Sequence, residues 1–192
     1  MWPDRRLIDL FGIDHPIIQA PMVAAATPEL AAAVSTAGGL GSLGCGEMTC
    51  DEITSAVAEL QARTNRPFNL NFFVVDAPRT DAPVLQRARD RLQPWYDAFS
   101  LGPVPDRLAE FDAGFGAPQI ELLLHLRPAV VSFHFGLPPP DTIAALKSAG
   151  IILICTVLAA VKASKGPGLR RFITVSLLSS PIVSSKLPAV AW

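Results

Sequence analysis

The sequence has only three cysteines in 192 residues, an odd number. Its opening stretch, MWPDRRLIDLF, lacks the apolar core of a signal peptide. A disulfide framework is therefore not expected, and a reducing, cytoplasmic setting is. Long hydrophobic runs are missing too. The longest, Ile151 to Val161, is too short to cross a bilayer as a helix, so no membrane partner is expected. Charge of one sign is scarce: 16 basic against 17 acidic residues give a net −1, with no cluster of Lys and Arg for nucleic-acid phosphates. Cys45 and Cys50 are spaced C-x4-C but have no second ligand pair, and His15, His125 and His134 share no helical face with them. Structural zinc is not expected on that count. The last absence is local. Every Asp and Glu lies at or before Asp141, so residues 1–141 carry ten basic and seventeen acidic side chains, and the remainder six basic and none acidic. Such a break marks either a basic tail with its own partner or a segment foreign to the preceding fold.

What is present is half apolar, enough for a buried core, punctuated by 18 prolines and 13 glycines. Pro16–Met22 reads as a buried strand ended by a proline turn. Thr27-Pro28-Glu29 supplies a cap, a first-turn proline and an acid at the positive end of a helix, which stops at Gly38-Gly39. Leu40–Gly44 follows as a strand. Asp51–Ala62 has helical apolar spacing at Ile53, Val57 and Leu60. Pro67–Val75, Ala129–Phe135 and Ile151–Cys155 are further strands; helices are expected over residues 84–99, 117–128 and 141–149, the last capped by Asp141. Strand–helix alternation of this kind predicts a parallel α/β sheet, doubly wound or of (β/α)8 TIM-barrel type, with function at the carboxyl ends of the strands. Those ends are Gln19–Met22, Gly44–Gly46, Asn71–Phe73 and Phe133–Gly136.

Gly39–Gly44 matches G-x-G-x-x-G letter for letter, but a helix precedes it and a strand coincides with it. A dinucleotide site needs the reverse order, so the glycines read as a helix-to-strand turn. His134 alternates with Ser132 in AVVSFHF, placing both on one face of the sheet, near the carboxyl end where a barrel enzyme keeps its base. A histidine satisfied within the core is the competing reading. Asn71, in PFNLNFF, offers an amide to a ligand or to a neighbouring backbone group. His125 and His15 read as surface or packing residues.

HPIIQAPM, TPELAAAVSTAGGLGSLG, PFNLNFF and VVSFHFG, in this order and spacing, resemble the nitronate monooxygenase family over roughly residues 7 to 155. The resemblance implies a flavin mononucleotide (FMN)-binding (β/α)8 barrel that oxidises alkyl nitronates or nitroalkanes with molecular oxygen. It also implies that the backbone of Ala20, Pro21 and Met22 lies against the flavin, that Asn71 contacts it, and that His134 is the active-site histidine. Imidazole suits removal of a nitroalkane α-proton. Another FMN barrel, such as an enoyl-thioester reductase, or a non-catalytic fragment, are the alternative readings.

The expected organisation is the first five β/α units of a barrel over residues 1–155, with a helical insertion near 79–128, then a divergent tail over 156–192. The family's glycine-rich phosphate loops have no counterpart in that tail, whose 161–192 portion holds six serines and no capped helix. FMN affinity is therefore expected to be low. Dialysed protein should lose the flavin absorbance band near ~450 nm, and a stoichiometric band surviving dialysis would contradict this. The tail is expected not to complete the sheet, leaving an open edge that favours oligomer or soluble aggregate. Limited trypsinolysis should cut first at Lys162, Lys165, Arg170 or Arg171, around Gly166-Pro167-Gly168; a monomeric, trypsin-resistant chain would contradict it.

Overall fold

The structure, a computed structural model, describes residues 2–76, 80–106, 114–156 and 172–175. They fall into two units, Met1–Val75 with Gly114–Trp192, and Asp76–Ala113. The smaller unit contains helix α4 (Ala82–Ala98), which buries none of its residues. The larger holds α1 (Arg6–Phe11), α2 (Pro28–Thr36), β1 (Gly41–Gly44), α3 (Cys50–Arg63), β2 (Phe68–Phe73), α5 (Ala117–Leu126), β3 (Val130–His134), α6 (Pro140–Ser148), β4 (Ile152–Thr156) and β5 (Phe172–Val175). The strands form one parallel sheet in sequential order, the α/β architecture of a (β/α)8-type barrel.

Period-two alternation divides the side chains of the sheet between two faces. Leu43, Leu70, Phe72, Val131, Phe133 and Leu153 lie in one cluster with Ala31 and Ala32 of α2, Ile53, Val57 and Leu60 of α3, Leu123 of α5 and Leu146 of α6. On the other face Leu40, Val130 and Ile154 meet Phe11 and Ile13, so α1 covers that side near the amino-terminal ends of the strands. Caps fix the helix starts. Thr27 accepts the Leu30 N–H, and Thr49 and Glu52 form a reciprocal capping box. The backbone and hydroxyl of Thr49 both donate to Glu52, which holds its carboxyl below the usual range.

Four expectations change. Pro16–Met22 is no extended strand but a single parallel bridge, Ile18 to Leu40. The next ladder step would need a donor at residue 21, and proline has none. The Gln19 carboxamide takes over: its Oε1 accepts from Ser42 N–H and its Nε2 donates to the Ser42 carbonyl, both at 3.2 Å. Secondly, α6 starts one residue before Asp141, with Pro139 flanking and Pro140 leading, so Asp141 sits in the first turn and does not cap. Thirdly, α5 packs into the larger unit's core through Leu123, and the separate unit spans Asp76–Ala113 rather than 79–128. Finally, Phe172–Val175 pairs in parallel with β4, so these four residues do extend the sheet. The tryptic sites lie outside the described residues.

The glycine motif is explained by packing. A Cβ on Gly41 would stand 1.9 Å from the Ala31 carbonyl oxygen, because α2 presses its backbone onto β1 there. Ser35, fully buried, locks the same contact: its hydroxyl donates to Pro67 O at 2.8 Å and accepts from Gly41 N–H at 3.1 Å. Gly41→Ala should therefore destabilise the protein by at least about 2 kcal/mol, since backbone must move to admit the methyl. Urea unfolding measures this, and an unchanged midpoint would mean that α2 does not press on β1.

Candidate functional site

The carboxyl ends of β1, β2 and β3 are drawn together by close backbone contacts. Gly44 ends β1 against the preceding loop: an added Cβ would lie 2.9 Å from Pro21 O and 3.0 Å from Val23 N. The Ala20-Pro21-Met22 backbone is thereby held beside the strand ends. Two residues on, a Cβ on Gly46 would stand 2.5 Å from the Phe73 ring, and one on Gly136 would stand 2.7 Å from Val74 O. Cys45 N–H donates to Asn71 O at 2.8 Å, and Val74 N–H to His134 O at 2.9 Å. All four segments singled out from the sequence meet at one end of the sheet.

Just beneath this rim lies a buried polar cluster. Ser42, Asn69, Asn71 and Ser132 are each at least nine-tenths buried on the face opposite the main helix layer. Asn69 Nδ2 donates to Ser132 Oγ at 2.9 Å and to Ser42 Oγ at 3.2 Å. Asn71 Nδ2 donates to the same Ser132 Oγ at 2.9 Å and to Ser132 O at 3.3 Å. With both N–H bonds directed at Ser132, the Asn71 carboxamide keeps its oxygen as a spare acceptor. Asn69 Oδ1 is buried with no hydrogen-bond partner among the described residues. Such an orphan costs about 1–3 kcal/mol, a penalty that packing alone gives no reason to retain.

His134 ends β3 in register with Phe73 of β2, and is half-buried. Its ring centroid lies 4.3 Å from Phe135 and 6.2 Å from Phe73, with the two phenyl rings 5.2 Å apart. Its imidazole has no hydrogen-bond partner among the described residues, so both nitrogens are available to a ligand. Phe135 takes a left-handed backbone, φ 72°, and Ala24, across the rim, φ 61°. Non-glycine residues held there carry strain of a kind that collects at functional sites. Met22 is 55% and Phe135 51% exposed, giving the rim an apolar surface.

The structure thus brings Ala20, Pro21, Met22, Asn71 and His134 to one end of the sheet. It leaves His125 exposed in the last turn of α5, and His15 exposed with its Nδ1 accepting from Trp2 Nε1 at 3.4 Å. Burial pushes the Cys45 thiol up to about 12 and raises Cys155 as well, which disfavours the nucleophilic thiolate at both. Among the described residues no group of His, Cys, Asp and Glu could hold a metal ion, and no helix is long and apolar enough to cross a membrane. A surface depression of about 470 Å³ lined by Glu29, Ala32, Ala33, Thr36, Ala37 and Arg63 belongs to the helix layer and shares no residue with the rim. Sequence reading missed Ser42 and Asn69. Asn69 carried the same signal as Ser132, a polar residue two positions from another candidate inside an apolar strand; Ser42 carried only that of a lone polar residue in a Gly/Leu strand.

Known proteins resemble this chain in sequence and in fold. A family model described as nitronate monooxygenase matches residues 4–166. A nitronate monooxygenase of Paraburkholderia phytofirmans is 46% identical over 79% of this chain and 42% of its own length. One from Pseudomonas aeruginosa is 42% identical over 78% and 43% respectively. Among solved structures, nitroalkane oxidase from Streptomyces ansochromogenes is 36% identical with TM-score 0.61, covering 78% of this chain and 42% of that one. FabK from Thermotoga maritima is 31% identical with TM-score 0.55, covering 80% and 37%. The chain spans a little over two-fifths of the length of the curated relatives it matches. On sequence and fold together, this chain belongs to the nitronate monooxygenase family.

Proposed function

We propose that the rim formed by Ala20–Met22, Asn71 and His134 is the flavin-side half of an active site for FMN-dependent oxidation of alkyl nitronates or nitroalkanes with molecular oxygen. The observation that carries this is the convergence, beside a fixed backbone loop, of a buried carboxamide with a spare acceptor and an imidazole that has no hydrogen-bond partner among the described residues. Relatives named nitronate monooxygenase and a neighbour named nitroalkane oxidase support the substrate class.

The residues present fit a flavin. The Asn71 oxygen suits a donor on the ligand, the Ala20-Pro21-Met22 backbone is held beside the strand ends, and exposed Met22 and Phe135 offer apolar surface for a ring. FMN, when bound, would supply the electron acceptance and the reaction with oxygen that no side chain here can perform. The protein's own part is proton removal and placement. A neutral nitroalkane must lose its α-proton before it becomes electron-rich, and His134 is the base at the rim. Among the described residues neither imidazole nitrogen is engaged, so one can accept that proton while Phe73 and Phe135 pack against the ring. With a preformed nitronate the same ring binds the anion instead. The described cations of the larger unit lie elsewhere: Arg5 and Arg6 stand at the start of α1, Arg63 and Arg66 precede β2, Arg127 precedes β3 and Lys147 precedes β4, the last four at the opposite end of the strands.

With FMN supplied at saturation, His134→Ala should lower turnover of a neutral nitroalkane by about 10²–10⁴-fold, the usual loss for a general base. Turnover of the preformed nitronate should fall less. Equal losses would make the imidazole an anion-binding group, and no loss on either substrate would return it to a packing role. Turnover of NAD(P)H with an enoyl thioester, and none with a nitronate, would replace the substrate class altogether.

A further inference from the structure

The buried polar cluster has a directionality that the rim alone does not explain. Asn71 lies directly opposite Ser132 across the β2–β3 ladder, whereas Asn69 lies opposite Val130. The Asn69 amide nevertheless reaches diagonally, one step toward the carboxyl end, to donate to Ser132 Oγ. That oxygen has two acceptor lone pairs, and the amides of Asn69 and Asn71 fill both, each at 2.9 Å. A serine hydroxyl otherwise chooses among three staggered positions. The donor from Asn69 fixes one of them, the one in which Ser132 receives Asn71.

The consequence appears at Asn71. A carboxamide that loses its N–H acceptor can rotate by half a turn at little cost in shape and present a donor where it had presented an acceptor. The neighbour that decides between these states is Ser132, and the neighbour that holds Ser132 is Asn69. Asn69 Oδ1, buried with no partner among the described residues, is a second, independent sign: an apolar side chain of similar size would leave no unpaired buried atom there.

We propose that Asn69 is a positioning residue. Acting through Ser132, it fixes the orientation of the Asn71 carboxamide so that the oxygen, not the nitrogen, is presented to the ligand at the strand ends. Only the identity of that ligand as a flavin rests on the function proposed above.

Two measurements on the intact chain test this separately. In flavin-free protein, the side-chain amide protons of Asn71 in ¹⁵N spectra should exchange slowly in the wild type. They should exchange freely in Ser132→Ala and in Asn69→Leu, and slow again in Ser132→Thr, which keeps the hydroxyl. Asn69→Ala serves if the leucine variant does not fold. Asn71 protons indifferent to every change at position 69 would overturn the proposal. The second measurement is quenching of FMN fluorescence. Ser132→Ala and Asn69→Leu should each weaken FMN binding by about 10-fold, the size of one hydrogen bond. Neither should add to the loss already caused by Asn71→Ala. Full additivity on that background would mean a merely structural role and would overturn the proposal. If the wild type leaves FMN fluorescence unchanged while the Asn71 protons respond as stated, the positioning role stands and the flavin reading falls.

Discussion

An amide buried inside a parallel sheet is destabilising unless its polar groups find partners, and the rim of this protein rests on how the N–H donors of Asn69 and Asn71 find theirs. Ser42, Asn69, Asn71 and Ser132 come from three adjacent strands and bond across them, so the strands are tied by side chains as well as by their ladders. Below the cluster, toward α1, the same face is apolar, with Leu40 and Val130 against Phe11 and Ile13. Above it stand Phe73 and His134. The face therefore passes from a packed floor, through a hydrogen-bonded layer, to the rim that carries His134. The middle layer fixes what the upper one can present.

A second constraint brings the first loop to the same place. Gly41 lets α2 lie against β1, and Gly44 lets the Pro21–Val23 backbone lie against the end of β1. Pro21 cannot donate to a ladder, and Gln19 pairs its side chain with Ser42 instead, which frees the following backbone to leave the sheet and cross the strand ends. The residues that resemble a nucleotide fingerprint are thus glycines demanded by close approach. Their chemistry is steric and makes no use of a helix dipole.

Most of the architecture was legible because apolar periodicity and caps are local signals. Thr27-Pro28-Glu29 and the Ile53, Val57, Leu60 spacing specify α2 and α3, and the helix–strand order specifies parallel pairing. His134 and Asn71 were legible as polar residues near strand ends. The failures share a cause. The reduction of Pro16–Met22 to one bridge depends on a side chain reaching 23 residues ahead, and the value of Asn69 depends on a diagonal contact 63 residues away. Neither pairing has a signature within a window of sequence. Asp141 failed differently: cap and first-turn positions differ by one residue, and Pro140 takes the first helical position.

The flavin is proposed to bind at the carboxyl end of the sheet, against Ala20–Met22, Asn71 and His134. Hydrogen–deuterium exchange of the intact chain with and without added FMN tests it most directly, because slowed exchange locates contact without requiring turnover. The account predicts protection confined to peptides containing Ala20–Val23, Gly44–Gly46, Asn71–Phe73 and His134–Gly136. Protection centred instead on the α2–α3 depression around Glu29 and Arg63, or no change at the four strand-end segments at saturating FMN, would contradict it.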